Sequence, residues 1–130
     1  MHDAASTPPP HRPSDLRTRT RQFATTVVRC FVSLPRSDEA RILGRQLLRS
    51  GTSVGAHYRE ASRARSNAEF ISKLEVGLQE LDESAYWMEL LVDCNLANTA
   101  SLQPLIQETH ELLAIFTSIV KARKANPQRP

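Results

Sequence analysis

At 130 residues the chain is the length of one domain, able to bury roughly 65–70% of its unfolded surface around a single core. Four glycines, seven aromatics and abundant Leu and Ala favour an all-helical fold. Two distant cysteines, no apolar run of membrane length and an N-terminus, "MHDAASTPPPHRP", without a hydrophobic stretch speak against a disulfide framework, a zinc site, a membrane span and a signal peptide. A cytoplasmic protein with two reduced thiols is expected.

The net charge of +3 conceals an asymmetry. Residues 1–65 hold twelve Arg and five Asp/Glu, a balance of +7; residues 66–120 hold one Lys and nine acids, −8; residues 121–130 add +4. A basic half suits a polyanion, or else the chain's own acidic half.

In chain order, the Pro-rich start, residues 1–13, has too little apolar surface to fold and reads as a flexible tail. Ser14 is the expected N-cap of a first helix, with Asp15 in its opening turn and Leu16, Phe23, Val27, Phe31 and Leu34 on its apolar face. Pro35 ends it. Ser37 caps a second segment whose stripe is Leu43, Leu47, Val54, Tyr58 and Ala61. Ser66 and Glu69 form an S-x-x-E capping box that opens a third, with Phe70, Leu74, Leu78, Leu81, Ala85, Met88 and Val92 inward. After "DCNLANTA", Thr99 or Ser101 is expected to cap a fourth, with Pro104 in its first turn and Leu102, Ile106, Leu113, Phe116 and Val120 as core. Residues 14–124 thus predict an all-α, antiparallel, up-down four-helix bundle, followed by a basic flexible tail at 125–130.

The stretch "RSGTSVGAHYREASRAR" could be a phosphate-cradling loop or a helix. A loop of that kind needs a preceding strand and a Walker-type Lys, and neither is present. On a helical wheel of about 100° per residue, Gly44, Gly51, Gly55 and Ser62 fall within roughly 40°, a strip that admits a close neighbour. Arg41, Arg45, Arg49, Arg59 and Arg63 fall within about 80° beside it. Five arginines on one face repel unless anions answer them. Those anions are either nucleic-acid phosphates or carboxylates such as Glu75, Glu80, Asp82 and Glu83 of the third helix, in the same or a neighbouring subunit. The residues leave both open. Val76, Trp87 and Leu90 lie behind the third helix's core stripe and point to a protein interface.

Catalytic patterns are missing. No Glu-x-x-His pair exists, so no di-iron site forms. His2 and His11 sit in the tail, His57 and Glu60 are in reversed order, and His110 is at the edge of an apolar face. Ser53 and Ser62 have no activating His and Asp. No enzyme, metal or other cofactor is expected.

The run "LLRSGTSVGAHYREASRARSNAEFISKLEVGLQELDESAYWMELL" resembles the bacterial four-helix bundle protein family, which includes proteins encoded by intervening sequences of large-subunit ribosomal RNA genes. The matching positions are Arg49, Ser53–Ala56, Tyr58–Ala61, Phe70, Lys73, Leu74, Glu80, Glu83, Ser84, Tyr86 and Trp87, and weaker likeness spans about residues 16–124. The resemblance implies a ring, typically a homopentamer, with no catalytic activity. In such a ring the outward Val76, Trp87 and Leu90, with Glu80 and Glu83 beside them, are expected at the subunit interface. A more distant relative, the accessory variability determinant of diversity-generating retroelements, is similar to a basic ring that binds nucleic acid. That implies RNA or DNA as partner for the second-helix arginines, or else a homo-oligomeric scaffold that spends them on intersubunit salt bridges. His57 departs from the family, which has Asn there.

Overall fold

The computed structural model describes residues 13–126, with side chains from residue 16. Four helices follow in order: α1 (Pro13–Ser33), α2 (Asp38–Ser62), α3 (Asn67–Asp93) and α4 (Thr99–Ala125). Each packs on its neighbour in sequence, and α1 closes the bundle on α4 through the least extensive of the four interfaces. Three connections of four or five residues reverse the chain at each step, so the bundle is antiparallel and up-down.

The local chemistry at the helix ends explains where they begin. Ser37 caps α2 by accepting from the Ala40 N–H, with Asp38 and Glu39 favourable at the positive end of the dipole. Ser66 Oγ accepts from the Glu69 N–H at 3.1 Å, but Glu69 Oε1 returns to the Arg65 N–H at 3.0 Å, one residue before the expected partner. Two expectations are corrected. The first helix starts at Pro13, so Ser14 lies inside it; proline at a first helical position costs no hydrogen bond. Asn98, not Thr99 or Ser101, caps α4, its Oδ1 accepting from the Ser101 N–H at 2.7 Å. Pro104 therefore falls in the second turn, where it has no N–H for the Ala100 carbonyl. The α3–α4 connection turns on Asn95 at φ 59°, with Leu96 N–H reaching the Leu91 carbonyl and Asn95 N–H that of Val92, a Schellman closure. The tails predicted at 1–13 and 125–130 fall, but for Pro13, Ala125 and Asn126, outside the described residues.

The core comprises Leu16, Phe23 and Val27 of α1, Leu47, Val54 and Tyr58 of α2, Leu74, Leu81, Met88 and Leu91 of α3, and Leu102, Leu105, Leu112, Ile115 and Phe116 of α4. Two stripes are rotated from expectation. On α3, Gly77, Ser84 and Leu91 are buried while Phe70, Leu78 and Val92 are half-buried. On α4, Leu105, Thr109, Leu112 and Ile115 are buried while Ile106 and Leu113 are half-buried. The turn of α3 towards α2 fits the α2–α3 interface being the most extensive in the bundle. Small residues let these two helices meet closely. Between them, Ser50 Oγ lies 2.9 Å from Ser84 Oγ, fully buried. Ser84 Oγ also reaches the Glu80 carbonyl at 2.8 Å and Ser50 Oγ that of Leu47 at 3.3 Å, so either hydroxyl can donate across the seam.

Candidate nucleic-acid interface

Helix α2 is unbroken through its glycines because α1 fills the space they leave. A Cβ added at Gly44 would meet Leu34 and Phe31 side chains, at Gly51 those of Val27, and at Gly55 that of Thr20. Advancing along α2 thus means moving back along α1, as antiparallel packing requires. The strip of small residues faces α1, and the arginines are left on the adjoining outer face.

Arg41, Arg45 and Arg63 are exposed, Arg59 is half-buried, and none of the four has a carboxylate partner among the described residues. Arg49 differs. Its Nη2 lies 2.5 Å from Glu83 Oε1 and its Nη1 3.4 Å from Glu80 Oε1, both on α3 of the same chain. The hydrogen bond to Glu83 is the main cause that pushes the Arg49 guanidinium up. The expected grouping of five therefore divides into one structural arginine and four unpaired ones. Glu75 pairs with Lys124 at 2.9 Å, and no ion pair involves Asp82 among the described residues.

Close approach of α1 adds two arginines that sequence reasoning missed. Arg17 and Arg21 are exposed and likewise have no carboxylate partner among the described residues. Arg21 and Arg59 flank a shallow depression of about 260 Å³ floored by Thr20, Ala24, Thr52, Gly55 and Ala56. The signal was available: Arg17 and Arg21 stand one turn apart on α1, beside Thr20, which packs on Gly55. Only the helix pairing shows that they share a face with α2. By contrast Arg19, between them in sequence, points to α4 and forks onto Glu108 at 2.9 and 2.7 Å, with Glu111 at 2.9 Å.

The residues expected at a subunit interface are distributed unevenly. Glu80 and Glu83 are engaged by Arg49, Val76 and Leu90 are half-buried, and Trp87 packs partly on the core. The Trp87 indole nitrogen is buried without a hydrogen-bond partner. Tyr86 meets the Trp87 ring edge-on at 5.0 Å and is 53% exposed, and Ile42 of α2 is 60% exposed. These two outward groups escaped the sequence reading.

His57 sits at the α2–α3 seam, its Nδ1 3.6 Å from Glu60 Oε1 and its Nε2 3.8 Å from Glu80 Oε2. Nδ1 is buried and makes no hydrogen bond. Lys73, 3.3 Å from Glu60, is the main cause that holds the Glu60 carboxyl below the usual range, with His57 contributing less. His110 is exposed; His2 and His11 lie outside the described residues. Among the described residues no group of three His, Cys, Asp or Glu side chains could hold a metal ion, and no helix is long and apolar enough to cross a membrane.

With this geometry in place, the comparisons are specific. The family model described as 23S rRNA-intervening sequence protein matches residues 14–118. A crystal structure of a protein of unknown function from the S23 ribosomal protein family of Bacteroides thetaiotaomicron VPI-5482 superposes with a TM-score of 0.79. It is 32% identical and covers 84% of this chain and 97% of its own. Among curated proteins none matches. A helical bundle whose motif, length and backbone all agree with these relatives leaves one assignment: this chain belongs to the 23S rRNA-intervening sequence protein family.

Proposed function

We propose that the protein is a non-enzymatic, ring-forming bundle that binds RNA or DNA along the α1–α2 face. The supporting observation is that Arg17, Arg21, Arg41, Arg45, Arg59 and Arg63 lack carboxylate partners among the described residues, while Arg19 and Arg49 have them. Arginine forks suit phosphate oxygens, and such contacts position a strand without reading its bases. The test is fluorescence anisotropy with RNA and DNA oligonucleotides. Binding is expected to weaken steeply with salt, and Arg45→Glu with Arg59→Glu is expected to abolish most of it. Salt-insensitive or absent binding removes the proposal.

A second reading is a homo-oligomeric scaffold, and one observation favours it. Tyr86 of α3 and Ile42 of α2 are large apolar side chains more than half exposed, as a surface that meets another subunit requires. In the ring, the α3 face with Val76, Glu83, Trp87 and Leu90 meets the next subunit, and the homopentamer is the state that the family resemblance implies. Sedimentation of the Arg45/Arg59 double variant separates the readings. An intact ring with lost binding supports nucleic acid; a dissociated ring supports the scaffold.

A further inference from the structure

A different cavity, of about 430 Å³, opens at the end of the bundle where α2 passes into α3. It shares no lining residue with the depression between Arg21 and Arg59. Leu16, Phe70 and Ile119 supply apolar walls, and Arg65, Arg123 and Tyr58 supply polar ones. Small-molecule sites have this size and this mixture, mostly apolar with a few convergent polar groups.

Arg123 is held before any ligand arrives. Its guanidinium carbon lies 3.8 Å over the centre of the Phe70 ring. Nη1 donates to Asn67 Oδ1 at 2.9 Å, and Asn67 Nδ2 donates back to the Arg123 carbonyl at 3.1 Å. These contacts fix the side chain yet leave most of its five N–H donors unspent. No carboxylate neutralises it among the described residues. Arg65, in the α2–α3 connection, is exposed and equally unpaired; Glu69 serves its backbone N–H instead. Burial pushes the Tyr58 phenol up, so that wall adds no negative charge near neutral pH. Two guanidinium groups beside an apolar pocket form an amphiphilic receptor: one end desolvates hydrocarbon, the other takes an oxyanion.

We propose that this cavity binds an organic anion with an apolar body, its carboxylate or phosphate held by Arg65 and Arg123 and its hydrocarbon by Leu16, Phe70 and Ile119. The test is isothermal titration of the full chain with decanoate, decyl phosphate and inorganic phosphate. The expected result is saturable one-to-one binding of a decyl anion and at least tenfold weaker binding of inorganic phosphate. The tighter of the two decyl compounds identifies the head group. Arg123→Gln and Arg65→Gln each weaken it about tenfold, as loss of a charge-assisted hydrogen bond does. Arg65→Gln alters an exposed connection and keeps the test valid if Arg123→Gln unfolds the chain. Lys121→Gln, which removes the same charge from α4 outside the cavity, leaves binding unchanged. No saturation below about 1 mM, inorganic phosphate binding as tightly as the decyl anions, or equal losses in Arg65→Gln and Lys121→Gln would each overturn the proposal.

Discussion

Gly51 and Gly55 share a face of α2 but differ in what they touch. A Cβ on Gly51 would lie 2.7 and 2.9 Å from the Val27 methyls and 3.2 Å from Val27 Cβ, a fully buried β-branched side chain with little freedom to turn. Overpacking of that kind costs about 1–3 kcal/mol, against a helix-propensity gain of about 1 kcal/mol for Ala over Gly. Gly51→Ala is therefore expected to lose up to about 2 kcal/mol in urea unfolding. At Gly55 the nearest atom is Thr20 Oγ1 at 3.1 Å and the position is half-buried, so Gly55→Ala should stay within about 0.5 kcal/mol of the parent. The cysteines differ in the same residue-level way. Burial pushes the Cys30 thiol up, whereas Cys94 is exposed. Near neutral pH a thiol reagent should modify Cys94 about tenfold faster or more, read by peptide mass, with Cys30 catching up as pH rises.

Between elements, polar links matter most where apolar packing is thinnest. α1 and α4 make the least extensive interface, and Arg19 joins them through a fork onto Glu108 with Glu111 alongside. Arg19→Ala would leave two carboxylates facing each other and should cost about 1–2 kcal/mol. Arg19→Lys, a single point charge without the fork, should recover less than half of that loss. Arg49→Ala removes a more exposed pair and should cost only about 0.2–1 kcal/mol. The α2–α3 seam has a pH signature. Because the Glu60 carboxyl titrates below its unfolded value, its contribution is present above the ordinary carboxylate range and is lost as pH falls through the folded value. Lys73→Gln should lower the urea midpoint slightly near neutrality, leave it little changed in acid where Glu60 is protonated, and so flatten the fall between the two.

For the whole molecule, charge is separated by topology: the basic face lies on α1 and α2, and acids line α3. If the six unpaired arginines of the α1–α2 face all meet phosphates, affinity should fall roughly three-hundred- to two-thousandfold between about 50 and 200 mM salt, and reversing two of them should cut the log–log slope by about 1.4–1.8. An unchanged slope in that double variant would place the contacts elsewhere. Assembly is a separate question, read by sedimentation. If the proposed ring forms, Tyr86→Glu with Ile42→Glu, which alters two of the exposed large apolar side chains, should dissociate it while far-UV circular dichroism stays helical.

Helix number, helix type and the turn at Pro35 were legible in the chain because capping, proline geometry and a 3.6-residue apolar period act over a few neighbours. Ser37 and Ser66 announce themselves in this way. Asn98 did not, since "DCNLANTA" offers several side chains able to cap and local chemistry does not choose among them. The small strip and the arginine strip of α2 were likewise legible as faces of one helix. Which arginines are spent was not: Arg49 reaches Glu83, Arg19 reaches Glu108, and Arg21 joins Arg59, all between residues far apart in the chain. Periodicity assigns a side chain to one face of its own helix. Its charge partner and its share of the core depend on how far each helix is rotated against its neighbours, and packing of the assembled bundle decides that.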